Sequence, residues 1–161
     1  MTQSQPTQQP TRHPFDLPAA THAYLERAAS SLREAMTTSE IPMRYACAHV
    51  AALRATAALI AARATPTGTP RRGRQKNAWV LLAEVAPELS EWAAFFSAGA
   101  GKRAAAESGS RRAVTEREAD DLVRDADRFL GLVEESLGMR RHLPVQERLP
   151  TVPAAGRGHV A

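Results

Sequence analysis

The strongest pattern in the sequence lies near its carboxyl end, in residues 115–138. Thr115 and Glu118 have the spacing of a capping box, in which a threonine and a glutamate bond the first free backbone amides of a helix. Gly138 stands where a glycine commonly ends a helix. Between these signals apolar residues recur every three to four positions, at Ala119, Leu122, Ala126, Phe129, Val133 and Leu137. This spacing predicts one amphipathic helix whose apolar face lies in a core.

Two more helices are predicted in the first half of the chain. Asp16 is a suitable N-cap for a helix that runs to about Met36. Ser39 can cap a second helix, which runs to about Ala64 and is rich in alanine. Pro42 lies in its first turn, where proline is tolerated because the amide there needs no helical partner. The alanines predict close packing of this helix against its neighbours.

The segment after the second helix, TPTGTPRRGRQK, is interrupted by Pro66, Gly68 and Pro70, which predict a basic crossover loop. A third helix is predicted from about Asn77, and Pro87 should kink or break it. A helix restarts at Pro87 and extends to about Glu107. The aromatic residues of this region occur among leucines at helical spacing, so we expect them in the core: Trp79, Trp92, Phe95 and Phe96.

The pattern as a whole predicts an all-α protein, an up-and-down bundle of four to five helices, because no segment alternates with the period of a half-buried strand. The bundle is expected to occupy residues 16–138. Residues 1–15 and 139–161 are expected to be disordered tails, since they are rich in Gln, Thr, Pro and Gly and have little apolar surface to bury.

Composition narrows the class of protein. The single cysteine, Cys47, cannot form an internal disulfide, which favours a cytoplasmic protein. The amino terminus lacks a signal-peptide pattern and no run of 18 uncharged apolar residues occurs, so no membrane association is expected.

Charge is distributed unevenly along the chain. Residues 114–137 contain eight acids and three arginines, a charge of −5, and the total of +4 therefore leaves +9 elsewhere. Separate acidic and basic surfaces are the expected result.

Motifs for cofactor chemistry are missing from the sequence. The string GAGKRA at residues 99–104 lacks the upstream glycine and the hydroxyl residue that a phosphate-binding loop requires. None of the helical histidines follows a glutamate by three residues, as the ligands of a di-iron bundle do. Cys47 lies among alanines, which favours packing over nucleophilic chemistry. We therefore expect no cofactor and no metal site.

Three segments together resemble a family of small stand-alone HEPN proteins of actinobacteria. They are RYACAHVAALRATAALIAARA, WVLLAEVAPELSEWAAFF and READDLVRDADRFLGLVEESLG, and the resemblance covers residues 20–138. It implies a helical bundle that is usually a homodimer, in a superfamily of ribonucleases, toxins and catalytically silent nucleotide- or RNA-binding proteins.

The resemblance also draws attention to Arg44 and His49, because catalytic HEPN ribonucleases carry an arginine and a histidine at this spacing. A histidine would move the proton of the ribose 2′-OH while the arginine stabilises the charged phosphorus. Residues five apart on a straight helix point about 140° away from each other, which disfavours a joint site in one protomer. Tyr45 also departs from the polar residue usual after the arginine. We therefore expect His49 to be a buried, hydrogen-bonded side chain.

The basic loop is the other candidate site, with four cations and no acid nearby: Arg71, Arg72, Arg74 and Lys76. A flexible basic loop suits non-specific contact with phosphates. The sequence thus predicts a non-catalytic HEPN-like module, a homodimer whose partner is RNA, another nucleic acid or a protein. The alternative is a metal-independent endoribonuclease that uses Arg44 and His49.

Overall fold

The chain folds into five α-helices in the computed structural model, which describes residues 16–64 and 76–145. No strand occurs within these ranges. The predicted all-α class is confirmed. The helices are α1 (Ala19–Thr37), α2 (Ile41–Arg63), α3 (Ala78–Val85), α4 (Ser90–Glu107) and α5 (Glu116–Ser136), with a 3-10 turn, Pro87–Leu89, between α3 and α4.

The signals at the ends of α3 and α5 act as the sequence predicts. The Thr115 hydroxyl accepts a hydrogen bond from the Glu118 amide, and the Glu118 carboxylate accepts one from the Thr115 amide, which completes the capping box. Gly138 has a φ of +74°, in the left-handed region that favours glycine. Asn77 caps α3 by accepting a hydrogen bond from the Val80 amide at 3.0 Å. Pro87 breaks the helical run, since α3 ends two residues before it.

Two predicted caps are wrong. Helix α1 begins at Ala19 rather than directly after Asp16, and Pro18 precedes it. The Pro18 carbonyl accepts from the Thr21 amide at 2.9 Å, so the proline starts the first turn without any side-chain cap. Helix α2 is preceded by Glu40 instead of Ser39, again without a side-chain cap.

Helix α2 is the centre of the bundle and packs against each of the other four helices. Its length and apolar composition would suit a membrane span, but 67% of its most apolar window is buried inside the protein. Its buried face consists largely of alanine: Ala46, Ala48, Ala51, Ala52, Ala55, Ala58 and Ala62. Such small side chains let the neighbouring helices approach closely.

The largest side chains of the core form an aromatic cluster around Phe96. The ring of Phe96 stacks on Trp79 (centroids 5.5 Å apart) and on Trp92 (5.9 Å). Phe129 of α5 lies 5.1 Å from the same ring, and both phenylalanines are fully buried. The expectation for Phe95 is wrong, because this neighbour in sequence is 46% exposed.

The segment after α5 also packs against the bundle, up to Val145. His142 lies between two carboxylates, with Nε2 2.7 Å from Asp127 and Nδ1 2.7 Å from Glu134. The Val145 amide donates to Asp127 at 3.1 Å. These bonds raise the pKa of His142 to about 9, so the imidazolium carries a full charge at neutral pH. The packed residues thus extend beyond Gly138, where the sequence predicts the bundle to end.

This arrangement predicts a loss of stability at alkaline pH. The folded pKa of His142, about 9, lies above its ordinary value of 6.5. The contribution of His142 to folding is therefore complete below pH 6.5 and is lost as the pH rises through 9. We expect a decrease of about 1–2 kcal/mol in the free energy of unfolding, since all three side chains keep some contact with water.

Urea denaturation at pH 6.5 and pH 9.5 measures the decrease. His142→Gln should remove most of it, whereas His22→Gln, a change at a histidine of α1, should leave it intact. An unchanged pH dependence in the His142 variant would contradict the assignment.

Candidate functional site

His49 lies at the contact between α2 and α4 and is completely buried. Its Nε2 donates a hydrogen bond to the Phe96 carbonyl at 2.8 Å, which fixes the proton on this nitrogen because a carbonyl only accepts. The Trp79 and Phe96 rings stand nearly perpendicular to the imidazole, at centroid distances of 5.5 and 5.9 Å. Burial lowers the pKa of His49, so its imidazole is neutral. Its Nδ1 is buried and has no hydrogen-bond partner among the described residues.

A glycine of α4 closes this site. A Cβ atom at Gly99 would lie 2.9 Å from the Tyr45 hydroxyl oxygen and 3.4 Å from Cδ2 of His49. Any larger residue would have to displace the Tyr45 hydroxyl, so glycine suits the close approach of α4 to α2. The imidazole is therefore covered by the backbone of α4 as well as by the aromatic rings, and no substrate atom can reach it in this conformation.

Arg44 points toward α5 instead. Its guanidinium lies 2.5 Å from the Asp120 carboxylate and 4.0 Å from that of Glu116, and it donates to the Thr38 carbonyl at 3.4 Å. The Arg44 side chain lines an open groove of about 340 Å³ together with residues of α1, α5 and the following segment: Ala35, Met36, Asp120, Val123, Arg124 and Val145. Arg44 and His49 thus contact different helices on different sides of α2, and the structure does not bring them together.

Of the predicted basic loop, the described residues contain Lys76 alone. Arg71, Arg72 and Arg74 lie outside them. The Lys76 ammonium forms an ion pair with the Glu84 carboxylate of α3 at 2.6 Å. This contact ties the end of the loop to α3 and neutralises one of its four cations.

Cys47 has the properties of a packing residue. It is buried on α2, and burial, followed by the nearby Glu34 carboxylate, raises the pKa of its thiol. A protonated thiol is a poor nucleophile. Within residues 16–64 and 76–145, no three histidine, cysteine or acidic side chains are grouped so that they could hold a metal ion.

One surface feature was missed by the sequence analysis. Trp92 and Phe95 of α4, with Glu91 beside them and Asp125 from α5, line a shallow cavity of about 300 Å³. We call these four residues the aromatic corner. A signal for it was present in the sequence, because Phe95 and Phe96 are adjacent and a helix turns about 100° per residue. Both rings could not face the same core.

Comparison with known proteins agrees with the fold. A family model described as HEPN-like matches residues 35–134, from the last turns of α1 to the last turn of α5. No curated protein and no solved structure matches the chain. Since the matched range covers more than half of the sequence and all of its central helices, the chain belongs to this HEPN family.

Proposed function

We propose that this protein is a non-catalytic HEPN binding module. The burial of His49 carries the proposal. A metal-independent ribonuclease needs an imidazole that reaches a ribose hydroxyl and an arginine at the same phosphate. His49 is instead enclosed and hydrogen-bonded to the Phe96 carbonyl, while Arg44 pairs with Asp120 on the far side of α2.

A homodimer, which the family resemblance implies, would not restore the catalytic pair of Arg44 and His49. An arginine of a second protomer could reach the surface above His49, but the imidazole is covered by residues of its own bundle. A composite site would require α4 to move away from α2. That movement would separate Phe96 from the aromatic cluster and break the hydrogen bond of His49.

A cytoplasmic location fits the free, buried Cys47 thiol.

RNA is the partner that we propose for the basic loop. With Lys76 paired to Glu84, three arginines remain for phosphate contacts. If each of them meets one phosphate of a single strand, the slope of log affinity against log salt is about −2, from roughly 0.7 per contact. Such binding depends little on base sequence, because phosphates carry no sequence information.

The test is a titration of single-stranded RNA with the full chain at several salt concentrations, in the presence of a chelator. Replacing Arg71, Arg72 and Arg74 together with Ala should remove most of the salt dependence. A matched control replaces three arginines near the start of α5, Arg111, Arg112 and Arg117, and should keep the slope. An unchanged slope in the loop variant would exclude the loop. Cleavage of the RNA under these conditions would support the ribonuclease alternative.

A further inference from the structure

The aromatic corner is a preformed recess between α4 and α5, and none of the residues of the basic loop lines it. Its two rings stand almost perpendicular, at 86° with centroids 6.1 Å apart. Trp92 packs against two buried rings of the core: it stacks on Phe96 at 5.9 Å and contacts Phe129 at 5.6 Å. Phe95 is 46% exposed and meets Phe96 edge to face. Because these packed rings need little ordering, a ligand can use their surface at low entropic cost.

The charges at the corner are negative. The Glu91 side chain is exposed and makes no ion pair or hydrogen bond within the described residues. Asp125 is half-buried, and burial raises the pKa of its carboxyl group. The charges that face Asp125 are Arg128 and Arg124, which favour its ionised form, and Asp121, which opposes it. Neither arginine forms an ion pair with Asp125, and Arg124 is bonded to Asp121 instead.

We propose that the aromatic corner binds one cationic side chain, an arginine or a lysine, of a basic polypeptide partner. Aromatic faces attract cations, and guanidinium groups in particular stack on tryptophan while their N–H groups bond carboxylates. The cavity of about 300 Å³ has room for one such side chain.

The same charges argue against the other classes of partner. Two carboxylates repel the phosphates of a nucleic acid, so the corner is not an extension of an RNA site. A purely apolar surface would bury Glu91 and Asp125 without partners, which costs free energy for each unpaired charge. A cation offsets part of this negative charge and covers the exposed ring of Phe95. The proposal is independent of RNA binding by the basic loop.

Calorimetric titration of the full chain with a tetra-arginine peptide tests the proposal, with a tetra-glutamate peptide as the opposite charge. Phe95→Ala should weaken binding about three- to fivefold, as expected for loss of an exposed cation–π contact. The double change Glu91→Gln and Asp125→Asn should weaken it about tenfold or more, since both ionic contacts are lost.

Two controls separate specific binding from attraction to an acidic protein. Glu26→Gln with Glu40→Gln removes the same charge elsewhere, and Val80→Ala truncates another exposed apolar residue. Both should bind the peptide like the unchanged chain. Equal weakening by the corner and control charge variants would overturn the proposal. Self-association of the protein that Phe95→Ala abolishes, without any peptide binding, would also overturn it and assign the corner to a second copy of the chain.

Discussion

Phe96→Ala should lower the free energy of unfolding by about 3–5 kcal/mol, the usual cost of removing a fully buried aromatic ring. The ring stacks on both tryptophans and also contacts Phe129. Its removal leaves a cavity that the surrounding rings cannot fill, because each of them is fixed by a different helix. Urea denaturation followed by circular dichroism at neutral pH measures the loss.

The adjacent Phe95 provides a matched control, since it has the same chemistry and the same helical context. Its ring is 46% exposed, so Phe95→Ala should cost less than about 1 kcal/mol. Equal losses in the two variants would show that α4 is rotated relative to the packing described above.

His49→Ala has the second largest expected effect, a loss of about 2–4 kcal/mol. The substitution removes a fully buried side chain of leucine-like size and leaves a void against Trp79 and Phe96. It also removes the donor that bonds the Phe96 carbonyl at 2.8 Å. The loss should be visible in the same denaturation experiment, at a pH above 6.5 where the imidazole is neutral in both the folded and the unfolded chain.

Arg44→Ala is the informative comparison, because the ribonuclease alternative treats the two residues as partners. The Arg44 guanidinium is partly solvated and pairs with carboxylates that also reach water, so its removal should cost about 1 kcal/mol or less. Similar small losses for both variants, together with abolished RNA cleavage, would contradict a structural role for His49. A large loss for His49→Ala alone supports it.

The sequence predicts the helices well wherever a local signal determines their ends. The capping box of Thr115 and Glu118, and the break at Pro87, depend on neighbours in the chain and are present in the structure. The predicted caps at Asp16 and Ser39 are wrong, because several residues near each helix start could serve as the cap and the local sequence does not select one of them. Helices α1 and α2 instead begin after Pro18 and Glu40, and neither has a side-chain cap.

The candidate site was less predictable, because it depends on contacts between distant segments. The separation of Arg44 and His49 follows from helical geometry and was expected. The hydrogen bond between His49 and the Phe96 carbonyl joins residues 47 positions apart, and no local sequence pattern predicts it. The aromatic corner likewise needs Asp125 of α5 beside Phe95 of α4. His142, which bonds Asp127 and Glu134, lies in a segment whose composition alone predicts a disordered tail.

The stacking of both indoles on Phe96 gives the protein a built-in optical reporter. The chain contains only two tryptophans, and Trp79 and Trp92 both stack on the same ring. Intrinsic fluorescence therefore reports on one small region of the bundle. A cation at the aromatic corner would therefore perturb the emission through Trp92, the more accessible of the two indoles, whereas Trp79 is buried.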